Sequence, residues 1–297
     1  MVVVTAMVPT YSYFQYPPVV SLETYGYCNG KCTFCNFHTT IRKRGAMSWE
    51  LIHKIVKEIS TWNTPAQITM NPGGEFFMDS RWFDILLYIR KSLPKSKIVI
   101  TTNGSHVDDE KIDKLVTIPN MDIGFSLYAY YPETYLMVMG LPIDTIGKID
   151  HAIERFSKER PDMNANISCT DDSWYVSHGE FEQLVKKWGS RARPHKMIHN
   201  SQHRNYPLPH DHQDCPCQTM FSNMVIYHNG DVGLCCFDAN GEVILGDIRN
   251  HTLLDVWTGD NMRKYRNLHI SGLRKAIPLC GSCNYGYSAL YDAVKLG

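Results

Sequence analysis

Short apolar runs alternate with segments of helical periodicity through the first two-thirds of the chain, and this alternation constrains the fold more than any other feature. Residues 18–23, 66–70, 97–102, 121–128 and 164–170 read as strands, with a short sixth over 196–200. Between them, Ser48 can cap a helix whose apolar positions Leu51, Ile52, Ile55, Val56 and Ile59 follow helical spacing. Asp79 or Ser80 can cap the next, through Phe83, Leu86, Leu87 and Ile89. Asp108 starts another, and helices follow over 144–158 and 178–188. Repeated βα units predict parallel strands with crossover helices. About six of them make an α/β fold, a partial (β/α)6 barrel, with its chemistry at the C-terminal ends of the strands.

Cysteines supply the second constraint. The chain has 10 of them in 297 residues and no charged, apolar leader of the secretory kind, so metal binding accounts for them better than disulfides. They fall into two groups. Cys28, Cys32 and Cys35 form a C-x3-C-x2-C run just after the first strand, whereas Cys215, Cys217, Cys235, Cys236, Cys280 and Cys283 lie in the last third and Cys169 stands alone. Three thiolates on one loop suit an iron–sulfur cluster with one iron left open. A zinc knuckle with His38 as fourth ligand is the competing reading.

The C-x3-C-x2-C run, with Phe34 just before the last cysteine, resembles that of the radical S-adenosylmethionine (radical SAM) superfamily. The resemblance implies a [4Fe–4S] cluster on Cys28, Cys32 and Cys35, chelation of S-adenosylmethionine at the open iron, and reductive cleavage to a 5′-deoxyadenosyl radical. It also implies a six-unit partial TIM barrel with the cluster loop after strand 1. Gly73-Gly74-Glu75, after strand 2, matches the family's Gly-Gly-Glu motif, which binds the amino group of S-adenosylmethionine, although Phe76 stands where Pro is usual. Two glycines allow close backbone approach, and a carboxylate answers a cationic amine. Ser126 in strand 4 is carried over as a contact to the ribose or carboxylate; a serine bonded to its own backbone is the alternative. Asn166 and Ser168 are further strand candidates. Phe34 is expected beside the cluster and the adenine.

Beyond residue 200 the periodicity lapses through a His- and Pro-rich stretch to about 216. Asn229-Gly230 between two apolar runs then predicts a hairpin with a type I′ turn that carries Cys235 back towards Cys217. Residues 252–257 and 261–268 read as helices. Cys217, Cys235 and the Cys280-x2-Cys283 pair resemble the SPASM/twitch extension of radical SAM enzymes. A complete SPASM domain needs cysteines beyond that pair and none follows, so the twitch form, with one auxiliary [4Fe–4S] cluster on Cys217, Cys235, Cys280 and Cys283, is expected. Cys215 or Cys236 can replace its neighbour, and a zinc ribbon is the competing reading. The expected division is a core over 1–200 and an auxiliary domain over 201–297.

Lys plus Arg equals Asp plus Glu, 30 each, which points away from nucleic acid and anionic membranes. No segment reaches transmembrane length, and a cytoplasmic protein is expected. With only 27 residues before Cys28, a peptide-recognition domain is not expected there. The likeness to dehydrogenases and epimerases of aminoglycoside and aminocyclitol biosynthesis implies a small polar substrate oxidised or epimerised at a carbinol C–H, with a flavodoxin- or ferredoxin-type electron donor. Modification of a ribosomally made peptide is the alternative, and a zinc-binding interaction protein a more distant one. Cys236 is the candidate hydrogen-atom donor for epimerisation. Asp122, Asp171, Asp172 and Asp214 are candidates for an acidic pocket. Arg191, Arg193, Arg204 and the histidines at 195, 199, 203, 210 and 212 are candidate substrate contacts or bases.

Overall fold

The computed structural model describes residues 14–70, 72–170, 176–194 and 216–283. Its strands are β1 (Val19–Leu22), β2 (Gln67–Met70), β3 (Ile98–Thr102), β4 (Met121–Ser126), β5 (Ala165–Cys169), β6 (Ala192–Pro194), β7 (Asn223–Ile226), β8 (Asp231–Gly233) and β9 (Ile244–Asp247). They form one sheet in the order β6-β5-β4-β3-β2-β1-β7-β8-β9. All pairs from β6 to β7 are parallel, and β7-β8-β9 is an antiparallel meander. The first six strands therefore run in chain order, as an open barrel of βα units requires.

Helices α1 (Trp49–Ser60), α2 (Trp82–Ser92), α3 (Asp109–Leu115), α4 (Pro132–Met139), α5 (Asp144–Glu159) and α6 (His178–Trp188) make the crossovers. Helix α1 starts where Ser48 accepts from the Leu51 amide at 3.2 Å, and it buries Leu51, Ile52, Ile55, Val56 and Ile59. Each such side chain is worth roughly 1.5–3 kcal/mol of gross burial. Asp108 caps α3 as expected. Neither Asp79 nor Ser80 caps α2, because Asp79 instead holds both the amide and the guanidinium of Arg81, the residue at the cap position.

One expectation is corrected, and another falls outside the described residues. The sixth strand lies at Ala192–Pro194 and pairs with Ile167–Cys169. Gly189, at φ +53, ends α6 and turns the chain at once into the sheet, where an edge position tolerates proline; residues 196–200 lie outside the described residues. The hairpin turn is not type I′. Tyr227 and Asp231 pair across it, leaving three loop residues, of which Gly230 alone has positive φ (+92). A type I′ turn needs positive φ at both central residues, while three-residue loops place a single glycine in the left-handed region.

Helix α4 was not foreseen. Pro132 opens it and Gly140, at φ +59, closes it, but exposed Leu136 and Met137 blur its apolar periodicity. Past residue 216 come α7 (Thr219–Ser222), α8 (Leu253–Trp257), α9 (Asp260–Ile270) and α10 (Pro278–Gly281). The division expected at 200 falls outside the described residues. The described parts on either side share one sheet through the β1–β7 ladder. No helix among the described residues is long and apolar enough to cross a membrane.

Candidate functional site

Because β1 to β5 are parallel, the residues after each strand gather at one end of the sheet. Cys28, Cys32 and Cys35 follow β1. Their loop lies on α4, with the Lys31 amide donating to Met139 O at 3.2 Å and the Thr33 amide to Val138 O at 2.8 Å. Gly30 keeps space between two thiols: a Cβ there would stand 3.4 Å from Cys32 Sγ and 3.6 Å from Cys28 Sγ. Donors face the sulfurs. The Gly30 amide reaches Cys28 Sγ and the Phe37 amide reaches Cys35 Sγ, both at 3.4 Å, and Asn103 Nδ2 lies 3.9 Å from Cys28 Sγ. Burial, with the nearby Glu75 charge, pushes the Cys28 thiol up to about 11, and burial raises Cys32 and Cys35 as well. Crowded thiols of this kind ionise when a metal cation binds, so the donor set fits a cluster.

After β2 comes Gly73-Gly74-Glu75. Gly74 has φ +83, and a Cβ there would lie 2.2 Å from Tyr25 O. The backbone of the motif thus touches the base of the cluster loop directly, with the Glu75 amide donating to Tyr27 O at 2.7 Å. The Glu75 carboxylate is buried and turned inward. It accepts from Thr102 Oγ1 at 2.7 Å and from the Asn103 amide at 2.8 Å, both at the end of β3, and from the Phe77 amide at 3.3 Å. Burial nevertheless holds its pKa above the ordinary carboxyl value, against these donors.

Ser126 ends β4 in register with Ser168 of β5. Two residues on, Tyr128 takes φ +57 and its ring packs 4.6 Å from that of Phe34. Phe34 therefore spans from the cluster loop to the β4 end. Cys169 is fully buried at the end of β5. Asp122 and Arg191 are not at this site. Asp122 opens β4 at the opposite end of the sheet and pairs with Lys97 at 2.7 Å, and Arg191 holds Ala165 O, where β5 begins, at 2.8 Å. Arg193 is an exposed residue of the edge strand β6. Asp171, Asp172, Asp214, Arg204 and the histidines at 195–212 lie outside the described residues.

The second group of cysteines also meets. Cys217, Cys235, Cys280 and Cys283, from three separate segments, line one cavity with Met220, Phe237, Leu279 and Arg274 among its walls. None of the nine described cysteines is in a disulfide. Burial and mutual repulsion raise Cys235 well above the usual thiol range and Cys280 to about 12, with Arg274 opposing the latter. A four-thiol cavity of this kind fits a fully ligated cluster. Cys236 is partly buried beside the group, repelled by Cys217 and Cys283, and does not line the cavity. Cys215 lies outside the described residues. His269, fully buried, accepts from the Cys217 amide at Nδ1, 3.1 Å away, and burial together with Arg274 lowers its pKa to about 4.

A strap joins the two sites, and the sequence reading missed it. Arg42, in the cluster loop, grips both oxygens of Glu23 at 2.9 and 2.5 Å, donates to Ala239 O at 3.1 Å and stacks 4.1 Å over Tyr227. Thr40 bonds Asn240 at 2.7 Å. A lone glutamate ending the apolar run of β1 was the available signal.

An open parallel barrel with a three-thiol loop after its first strand and a four-thiol cavity beyond its last defines a class of cluster enzymes. The chain belongs to the radical SAM superfamily, whose model matches residues 22–171. The model of an iron–sulfur cluster-binding domain, SPASM, matches residues 215–284. Among solved structures, BtrN in complex with AdoMet and 2-DOIA is 17% identical at a TM-score of 0.67, the match covering 90% of this chain and 92% of that one. anSMEcpe with bound AdoMet is 18% identical at 0.65, over 84% and 83%. Streptococcus suis SuiB bound to S-adenosylmethionine is 16% identical at 0.63, over 83% and 66%. At such identities the likeness is one of fold. No curated protein matches the chain in sequence. Family membership makes the chain an enzyme with S-adenosylmethionine and [4Fe–4S] clusters as its cofactors, and the zinc readings give way to it.

Proposed function

We propose that the enzyme abstracts a hydrogen atom from a carbinol C–H of a small polar substrate, of the amino-sugar or aminocyclitol type, and completes a dehydrogenation or an epimerisation. When bound, the cluster on Cys28, Cys32 and Cys35 together with S-adenosylmethionine supplies the 5′-deoxyadenosyl radical, and the cluster on Cys217, Cys235, Cys280 and Cys283 supplies a second redox centre. Gly73 and Gly74 bring backbone close to the amino group of S-adenosylmethionine, while Glu75 ties the motif to the β3 end. Ser126 contacts the ribose or carboxylate, and Phe34, backed by Tyr128, excludes water beside the adenine. Cys236 is the proposed hydrogen-atom donor if the reaction is epimerisation. A flavodoxin- or ferredoxin-type protein supplies the electron.

The likeness to BtrN carries the substrate class. That structure holds AdoMet and 2-DOIA and matches over 92% of its length. Modification of a ribosomally made peptide is the second reading, supported by the likeness to SuiB bound to precursor peptide SuiA, over 67% of that chain. The test is anaerobic reconstitution with iron and sulfide, then incubation with S-adenosylmethionine, dithionite and a panel of aminocyclitols in heavy water. Substrate-dependent 5′-deoxyadenosine with an oxidised product supports dehydrogenation. One solvent deuterium in the product, lost in Cys236→Ala while 5′-deoxyadenosine still forms, supports epimerisation. Turnover of peptides alone would sink the small-molecule reading.

A further inference from the structure

Arg274 is a buried cation in a wall otherwise built from thiols, apolar side chains and the hydroxyl residue Thr219. It is 4% exposed. Its Nε donates to Cys280 O at 3.1 Å and a terminal nitrogen donates to Cys283 O at 2.9 Å, so the guanidinium bridges the Cys280-x2-Cys283 turn from inside the cavity. Apart from the cysteines, no other described residue of that lining is ionisable. Asp238, a fully buried carboxylate of the same region, is held by the amides of Glu242 and Val243 at 2.9 and 3.0 Å; it does not line the cavity, but its charge reaches Cys280 and there opposes the larger effect of Arg274.

Holding two carbonyls needs donors, not a charge, and burying a guanidinium is costly. The charge then has an electrostatic consequence. In a low-dielectric cavity a fixed positive charge beside an anionic, thiolate-ligated centre stabilises the form carrying one more electron. Local net charge and hydrogen bonding are the protein's levers on such a centre's potential.

We propose that Arg274 raises the reduction potential of the auxiliary cluster and so makes it a better one-electron acceptor. The inference rests on Cys217, Cys235, Cys280 and Cys283 being its ligands and is independent of the substrate.

Redox titration of the holoenzyme, followed by electron paramagnetic resonance, tests it in wild type, Arg274→Lys and Arg274→Gln. Arg274→Gln should keep its iron yet lower the reduced-to-oxidised ratio of the auxiliary centre about tenfold at fixed potential, a shift of about 59 mV for one electron. Arg274→Lys should fall between, and the centre on Cys28, Cys32 and Cys35 should stay put. An unmoved auxiliary potential in Arg274→Gln overturns the proposal. So does loss of iron from both variants, which would leave Arg274 a structural clamp alone. Cys280→Ala keeps the two readings apart. Retention of the auxiliary signal there refutes the ligand set, whereas its loss beside an unmoved Arg274→Gln potential refutes the role of Arg274 only.

Discussion

Glu23 and His228 stand 205 positions apart in the chain and 2.8 Å apart in the fold, imidazole Nδ1 against carboxylate Oε1. Glu23 follows β1, His228 follows β7, and the parallel β1–β7 ladder brings both to the same end of the sheet. Gly45 makes the contact possible, since a Cβ there would lie 2.7 Å from the imidazole. The tip of the β7–β8 hairpin is thereby seated in the base of the cluster loop.

Glu23→Gln should therefore cost about 3–5 kcal/mol, because it leaves Arg42 partly buried without its partner. Burial alone would raise the Glu23 pKa, but hydrogen bonds from His228 and Arg42 and the Arg42 charge hold it below the ordinary 4.5. A depressed carboxyl contributes stability that is complete above its unfolded value and lost as the pH falls through its folded one. Denaturant unfolding of wild type and Glu23→Gln across pH should show a gap at pH 7 that narrows below about 4.5.

Gly74→Ala should abolish the spectral change that S-adenosylmethionine induces in the cluster signal. A left-handed φ costs a non-glycine residue about 1–2 kcal/mol, and the added methyl meets the Tyr25 carbonyl, which as backbone cannot swing aside. Gly179→Ala, in α6 with nothing within 4 Å of the new Cβ, should instead leave the signal intact and stabilise the protein by about 0.5–1 kcal/mol.

Cys235→Ala should lose the auxiliary cluster and Cys236→Ala should retain it, since only the first lines the four-thiol cavity. Iron and sulfide per chain, measured after anaerobic reconstitution, check this. Equal losses in both variants would move the ligand assignment to the pair.

Wherever the signal was local, the chain could be read directly. Helix α1 announces itself through Ser48 and five apolar positions at helical spacing, and α6 lies at 178–188 as its periodicity implies. Helix α4 was invisible because Leu136 and Met137 stay apolar on its exposed side. Its caps, Pro132 and Gly140, were the signal available. Asn229-Gly230 signalled a reversal, but the pairing of Tyr227 with Asp231 selected a three-residue loop.

What the sequence determined by itself is the order of the βα units and the grouping of Cys28, Cys32 and Cys35 with Gly73-Gly74-Glu75 at the strand ends. Parallel pairing converts chain order into spatial order, and covalent spacing keeps the three thiols together. Only the tertiary structure decided that Arg274 enters the cavity of Cys217, Cys235, Cys280 and Cys283, and that Glu23, Arg42 and His228 bind the two regions together. Those contacts join segments far apart in the chain. Their partners are chosen by burial and charge pairing in the folded interior, which leave no periodic trace along the sequence.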